Sequence, residues 1–278
     1  MFIRILVILV VLASSSTVAA QIVNVHSKFA TSDSEGVFGG LEAASNRRTG
    51  NTNYLALTGK ALFGLRFSGF HTYFLWNGAK KVVSGDNISN HTMEHLRFRY
   101  DFTEVFSLEA FGQHDFNEFK RLSLRALVGG GPRIQFEALD MWRLALGLAY
   151  MFEVERLDDA ADDAGDPYMD ANVQNNFHRM SSYLRLRFDM TDSASVVNTT
   201  FIQPRLADFN DFRLLNELSM QVDIVGGLGI KFSFAISYDS QPAMGVEGLD
   251  TFIGSSLTYS FEALKKEEQA ESAKNPSD

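Results

Sequence analysis

The chain has 278 residues, no cysteine and a formal net charge of −9. A disulfide framework and a thiol nucleophile are therefore excluded, and the acidic balance argues against nucleic acid as a partner. Mean hydropathy is close to neutral at −0.07, which fits either a soluble protein with a large core or a membrane barrel whose polar lumen dilutes a lipid-facing surface. The 24 phenylalanines against 5 prolines favour strands over helices and loops.

In chain order, Met1 to Ala20 begins with Arg4, continues as an apolar run from Ile5 to Ala13 and ends in Val18-Ala19-Ala20. That is the three-part plan of a secretory signal peptide, cleaved before Gln21, and the run is short for a spanning anchor. After it comes a polar lead-in, residues 21–35. No later run is long enough for a membrane helix. Period-two alternation then recurs to Phe261. A first strand is expected over about Gly36 to Asn46. The second, Thr52 to Phe67, sets Leu55, Leu57, Ala61, Phe63, Leu65 and Phe67 against Thr58, Lys60 and Arg66. A tight Ser68-Gly69 turn leads to a third through Phe70, Thr72, Phe74 and Trp76, and a longer polar connection is expected around Lys80 to Asn90.

The fourth strand opposes Leu96, Phe98, Tyr100 and Phe102 to Arg97, Arg99 and Asp101. A turn at Thr103-Glu104 gives a fifth, Val105 to Gln113, with Asp115 to Glu118 as the next connection. The sixth runs through Leu122, Leu124, Ala126 and Val128 into Gly129-Gly130-Gly131, which has no following helix and reads as a bend or close-packing site instead of a phosphate cradle. The seventh, Trp142 to Val154, shows the strongest alternation. An acidic loop follows, and the eighth strand alternates Leu184, Leu186 and Phe188 with Arg185, Arg187 and Asp189. A turn at Thr191-Asp192-Ser193 opens the ninth, Ala194 to Gln203. After a Leu206 to Asp211 connection come a tenth strand through Leu218 to Ile224, a Gly226-Gly227 turn, and an eleventh through Ile230 to Tyr238. In the last, Ile253, Leu257, Tyr259 and Phe261 oppose Gly254, Ser256, Thr258 and Ser260.

About twelve strands joined by alternately short and long connections predict an all-β fold, a transmembrane antiparallel up-and-down β-barrel over residues 36–261. Glu262 to Asp278 is a charged tail without an apolar face, expected in the periplasm. A soluble sandwich is the alternative, although its strands would rarely run this long.

The last strand resembles the C-terminal insertion signal of bacterial outer-membrane barrels, which implies contact with the barrel-assembly machinery. Thr49-Gly50-Asn51-Thr52, then Tyr100-Asp101-Phe102-Thr103, Asp115-Phe116, Arg125 and the triple glycine, resemble in order the landmarks of the salt-induced outer-membrane protein family (YdiY-like), a domain of unknown function. Gly50, Asn51, Asp115 and Arg125 carry that motif. The chain departs from it at Gly131-Pro132, where the family shows Gly-Tyr, and in its tail after Phe261. The resemblance implies an outer-membrane location and a barrel, and no reaction.

By parity Arg66, Arg97, Arg99, Arg143, Arg185, Arg187 and Lys231 point into the lumen near the periplasmic strand ends. They either form a basic constriction that draws anions or pair with Asp101, Asp189 and Asp223 and brace the wall; bracing is favoured. The loop carboxylates Asp158, Asp159, Asp162, Asp163, Asp166 and Asp170 suit Ca²⁺ or Mg²⁺, but their spacing lacks the EF-hand pattern and a solvated loop weighs more. His91 and His95 share a face, with Ser89 and Glu94 nearby, but Glu94 has the opposite parity, so no local acid orients either ring. No catalytic residue, metal site or cofactor is assigned. A small-solute or ion channel is the leading function, ahead of a closed envelope-integrity barrel and, last, a lipid-active enzyme. The expected partners are outer-membrane lipid and small solutes or ions.

Overall fold

The computed structural model describes residues 35–48, 54–84, 86–138, 141–157, 174–243 and 246–264. The leader, the acidic loop carboxylates, Gly50, Asn51 and the tail beyond Leu264 lie outside them. Twelve strands follow one another: β1 (Gly36–Arg48), β2 (Tyr54–Phe67), β3 (Phe70–Val83), β4 (Asp86–Asp101), β5 (Phe106–Asn117), β6 (Leu122–Ala138), β7 (Trp142–Leu157), β8 (Gln174–Thr191), β9 (Ala194–Arg205), β10 (Asp208–Val225), β11 (Leu228–Asp239) and β12 (Leu249–Leu264). Each pairs antiparallel with its sequence neighbours, and β1 closes on β12 from Gly36↔Leu264 to Ala43↔Leu257. Closure leaves no sheet edge, so every strand can pair its backbone in lipid.

The alternation read from the sequence becomes an outside and an inside. Phe63, Val128, Leu148 and Leu257 stand exposed on the outer wall, where water would penalise them and lipid would not. Rings gather at two levels. At the short-turn end Phe70 packs on Tyr100 at 4.5 Å and Trp142 on Phe188 at 4.5 Å. At the other end Phe152 meets His178 at 5.2 Å and Phe212 meets Tyr238 at 5.6 Å. Trp142 and Phe152 are ten residues apart on β7, which a tilted strand converts into roughly 25 Å, the height of an outer-membrane apolar band.

Turn chemistry holds the short end. Ser68 and Gly69 have φ of 48° and 78°, and Gly226 and Gly227 have 57° and 84°. Left-handed pairs of this kind match the twist of a two-residue hairpin. At the opposite end some connections are shorter than the sequence suggests. The polar stretch Lys80 to Asn90 is strand up to Val83 and again from Asp86, and Leu206 to Asp211 contracts to a turn at 206–207. The backbone there keeps its pairing with the neighbouring strands, so the ladder extends above the apolar band. Asp115 to Asn117 is likewise strand, followed by a 3₁₀ turn, Glu118–Lys120, capped by the Asn117 side chain. The triple glycine sits inside β6, where a Cβ on Gly131 would meet the Leu148 carbonyl at 2.0 Å, so it is a close-approach site. β12 continues three residues past Phe261, to Leu264.

Candidate functional site

The register fixes which side chains share the lumen. Glu42 lies opposite Lys60, Lys60 opposite Asn77, Asn77 opposite Met93, and Met93 opposite Asp115. Around the barrel this inward row places Arg66, Arg97, Arg99, Arg143, Arg185, Arg187 and Lys231 on the lumen side. Arg97, Arg185 and Arg187 are buried. Arg97 donates to Glu109 at 3.2 Å and lies over the Phe111 ring at 5.2 Å. Arg99 pairs with Asp101 at 2.8 Å, Arg143 with Asp189 at 3.3 Å, and Arg187 with the same Asp189. Arg185 has Arg133 and Arg187 as charged neighbours. Lys231 reaches Glu42 at 2.7 Å.

From β3 to β9 the lumen wall is packed, and residues of β1, β2 and β10 join its clusters. Phe38, Leu62, Tyr73, Leu75 and Met93 form one apolar cluster, and Ala145, Tyr183, Phe201 and Leu215 a second. Strands three places apart in the ring are tied together. Tyr183 of β8 donates to Glu109 of β5 at 2.9 Å. Toward the loop end Arg213 of β10 reaches Glu153 and, at 2.7 Å, Glu155 of β7, and pairs with Asp239 of β11 at 3.0 Å. Arg125 gives Glu153 a second cation at 2.9 Å, while Arg179 pairs with Asp211 at 2.9 Å. Glu153 is 0 % exposed, so its charge is held by arginines and not by water.

The wall from β10 through β11 and β12 to β1 and β2 differs. Its inward positions are mixed, with small or hydroxylic side chains set among larger ones such as Phe38, Leu62, Leu215, Glu217 and Phe252. Ser219, Ser233 and Gly254 stand side by side across three strands, and Ser219, Ser233, Gly254, Ser256, Thr58 and Ala44 are all partly exposed to the lumen. One charge cluster crosses this lining. Glu42 accepts from Lys231 and, at 2.9 Å, from the Ser256 hydroxyl, and Lys60 stands 4.0 Å away. The Lys60 side chain remains 37 % exposed, which makes it the lumen cation most open to a passing ion among these pairs. Nearer the short-turn end Gln221 bridges Thr258 and Asp223.

The histidine geometry appears only across strands. His91 and Asp115 lie 3.1 Å apart inside the lumen, and His95 and Gln113 also 3.1 Å. Glu94 instead faces outward and meets His114 at 2.7 Å. Of the family-motif residues, Asp115 thus holds His91, and Arg125 holds Glu153. Sequence reasoning singled out Arg97 and Arg185 but not Glu42, Glu109, Glu153 or Arg213; parity alone would have put these inside, but only closure of the barrel says which meet.

A family model described as "Protein of unknown function, DUF481" matches residues 41–261. No curated protein matches the chain. Among solved structures, an outer membrane channel from Pseudomonas putida F1 is similar at 9% identity and a TM-score of 0.50, with 85% of this chain and 98% of that one covered. The NanC porin is similar at 11% identity and a TM-score of 0.45, covering 83% and 99%. The translocator domain of the autotransporter NalP from Neisseria meningitidis is similar at 11% and 0.43, covering 81% and 88%. At these identities the likeness concerns the barrel fold alone.

Proposed function

We propose, on the premise that the chain belongs to the DUF481 family of proteins of unknown function, that it is a narrow outer-membrane channel for small hydrophilic solutes or ions. It is exported on its N-terminal leader and assembled through β12. The observation that carries this reading is a partly exposed set of small and hydroxyl side chains, Ser219, Ser233, Gly254 and Ser256 on β10 to β12 with Ala44 and Thr58 on β1 and β2. Lys60, Glu42 and Lys231 cross this lining and act on the sign of what passes. The arginines of the packed wall set the background potential and hold the barrel closed on that side.

Single-channel conductance of the refolded protein in a planar bilayer tests it. Discrete steps are expected, with ion selectivity moving toward cations in Lys60→Glu and Lys231→Glu. Arg97→Gln and Arg185→Gln should change selectivity less, because both side chains are enclosed. A stably inserted but silent protein refutes the channel. The reading left is then a closed barrel serving envelope integrity, which the Tyr183–Glu109 and Arg213–Glu153 ties across the lumen favour. No catalytic residue is proposed, since His91 and His95 are enclosed in the lumen, away from lipid.

A further inference from the structure

The outer face of β9 and β10 breaks the apolar pattern. Asn198, Thr200 and Asn216 point outward, with Thr200 opposite Asn216 in the ladder and Asn198 opposite Leu218. Their lipid-side surroundings are apolar: Leu184 and Leu186 on β8, which stand opposite Thr200 and Asn198, and Ile202, Leu214, Leu218 and Met220 on the two strands themselves. The depth can be read from the register. Asn216 is four residues from Phe212, whose ring belongs to the loop-end aromatic band. Its partner Thr200 is four residues from Val196, which lies opposite Phe188 of the short-turn band. Four residues of tilted strand rise roughly 10 Å. The cluster therefore sits near the middle of the apolar belt, where neither headgroups nor water reach.

The three side chains bond to one another, and the set does not close. Asn198 donates to the Asn216 carbonyl at 3.3 Å and accepts from its amide at 3.2 Å, while the Asn216 amide also donates to the Thr200 hydroxyl oxygen at 2.8 Å. A carboxamide carries two N–H groups and a hydroxyl one O–H. Both N–H groups of Asn216 are used, while one on Asn198 and the Thr200 O–H are left over, on a surface where hydrocarbon offers no acceptor. A partner must bring polar groups to the same depth, in the same orientation relative to the membrane. A second copy of the chain does so by construction, since a two-fold axis along the membrane normal sets each patch against its twin. Polar side chains at apolar depth act as glue between membrane segments in this way.

We propose that the β9–β10 face is a self-association surface through which two copies of the chain pair side by side in the membrane, held by Asn198, Thr200 and Asn216 and rimmed by the surrounding leucines. This is independent of whether the barrel conducts. Because the chain has no cysteine, single introduced thiols report the contact directly. Leu218→Cys, at the apolar rim beside Asn198, in the otherwise intact protein reconstituted into phosphatidylcholine vesicles, should cross-link into a dimer on mild oxidation. Phe74→Cys, exposed on β3 at the opposite side of the barrel, should not. In the same vesicles, energy transfer between labelled copies should fall on lipid dilution. The double variant Asn198→Leu, Asn216→Leu should weaken association roughly tenfold, while folding as before because it places apolar groups against lipid. A wild-type protein that stays monomeric at high density overturns the proposal. So does equal cross-linking from Phe74→Cys, or a double variant that associates as well as the parent.

Discussion

The two sides of this lumen are built from the same alternation and end in opposite states. From β3 to β9 the inward positions carry Tyr73, Met93, Arg97, Glu109, Arg125, Glu153 and Tyr183, all of them buried. From β10 to β2 large side chains alternate with serine, threonine, glycine and alanine, and Ser219, Ser233, Gly254, Ser256, Ala44 and Thr58 stay partly exposed. Strand geometry cannot separate the two, because each strand offers an inward site every second residue. Side-chain volume does. Long side chains reach to strands three places round the ring and close there, while the short ones stay partly exposed. On the proposed channel reading, most of the charges that brace the barrel stand apart from those that would meet a solute.

The comparison is broken most severely at Glu153. Glu153→Ala leaves Arg125 and Arg213 without their shared carboxylate in a dry interior, and a loss of about 3–5 kcal/mol is expected. Denaturant unfolding of the refolded barrel, followed by tryptophan fluorescence, measures it. Met93→Ala, at a side chain that is 0 % exposed, should cost about 2–4 kcal/mol by opening a cavity in the first apolar cluster. Tyr183→Phe removes the hydroxyl tie to Glu109, whose carboxylate keeps Arg97; a loss of about 1 kcal/mol is expected in the same assay. Ser233→Phe sharpens the contrast from the other side. It places a ring between Ser219 and Gly254, and the unfolding midpoint should move least of the four while single-channel current drops. A large stability loss there, with current intact, would mean that this wall is packed as well.

The barrel itself was legible in the sequence. Alternation in Leu55 to Phe67, Trp142 to Val154 and Ile253 to Phe261 placed apolar side chains on one face over lengths suited to a membrane, and local periodicity is enough for that because lipid is the same all round. Connection lengths were less legible. Lys80 to Asn90 and Leu206 to Asp211 are largely polar yet mostly strand, and composition does not reveal that a ladder continues above the apolar band. The site was legible only in part. Parity put Arg97, Arg185 and Lys231 inward, and it showed no acid beside His91 because Asp115 comes from the next strand, 24 residues later.

What the sequence determined by itself is therefore which residues face lipid and which face the lumen, since a strand's two faces are set by spacing alone. What only the tertiary structure decided is which lumen residues meet. Glu153 with Arg213, Glu109 with Tyr183 and Glu42 with Lys231 are 60, 74 and 189 residues apart. Each pair exists because closing β1 on β12 curves the sheet into a ring in which strands two or three places apart turn their long side chains toward one another. The same closure leaves Ser219, Ser233 and Gly254 side by side and partly exposed, because they are too short to reach past their neighbours.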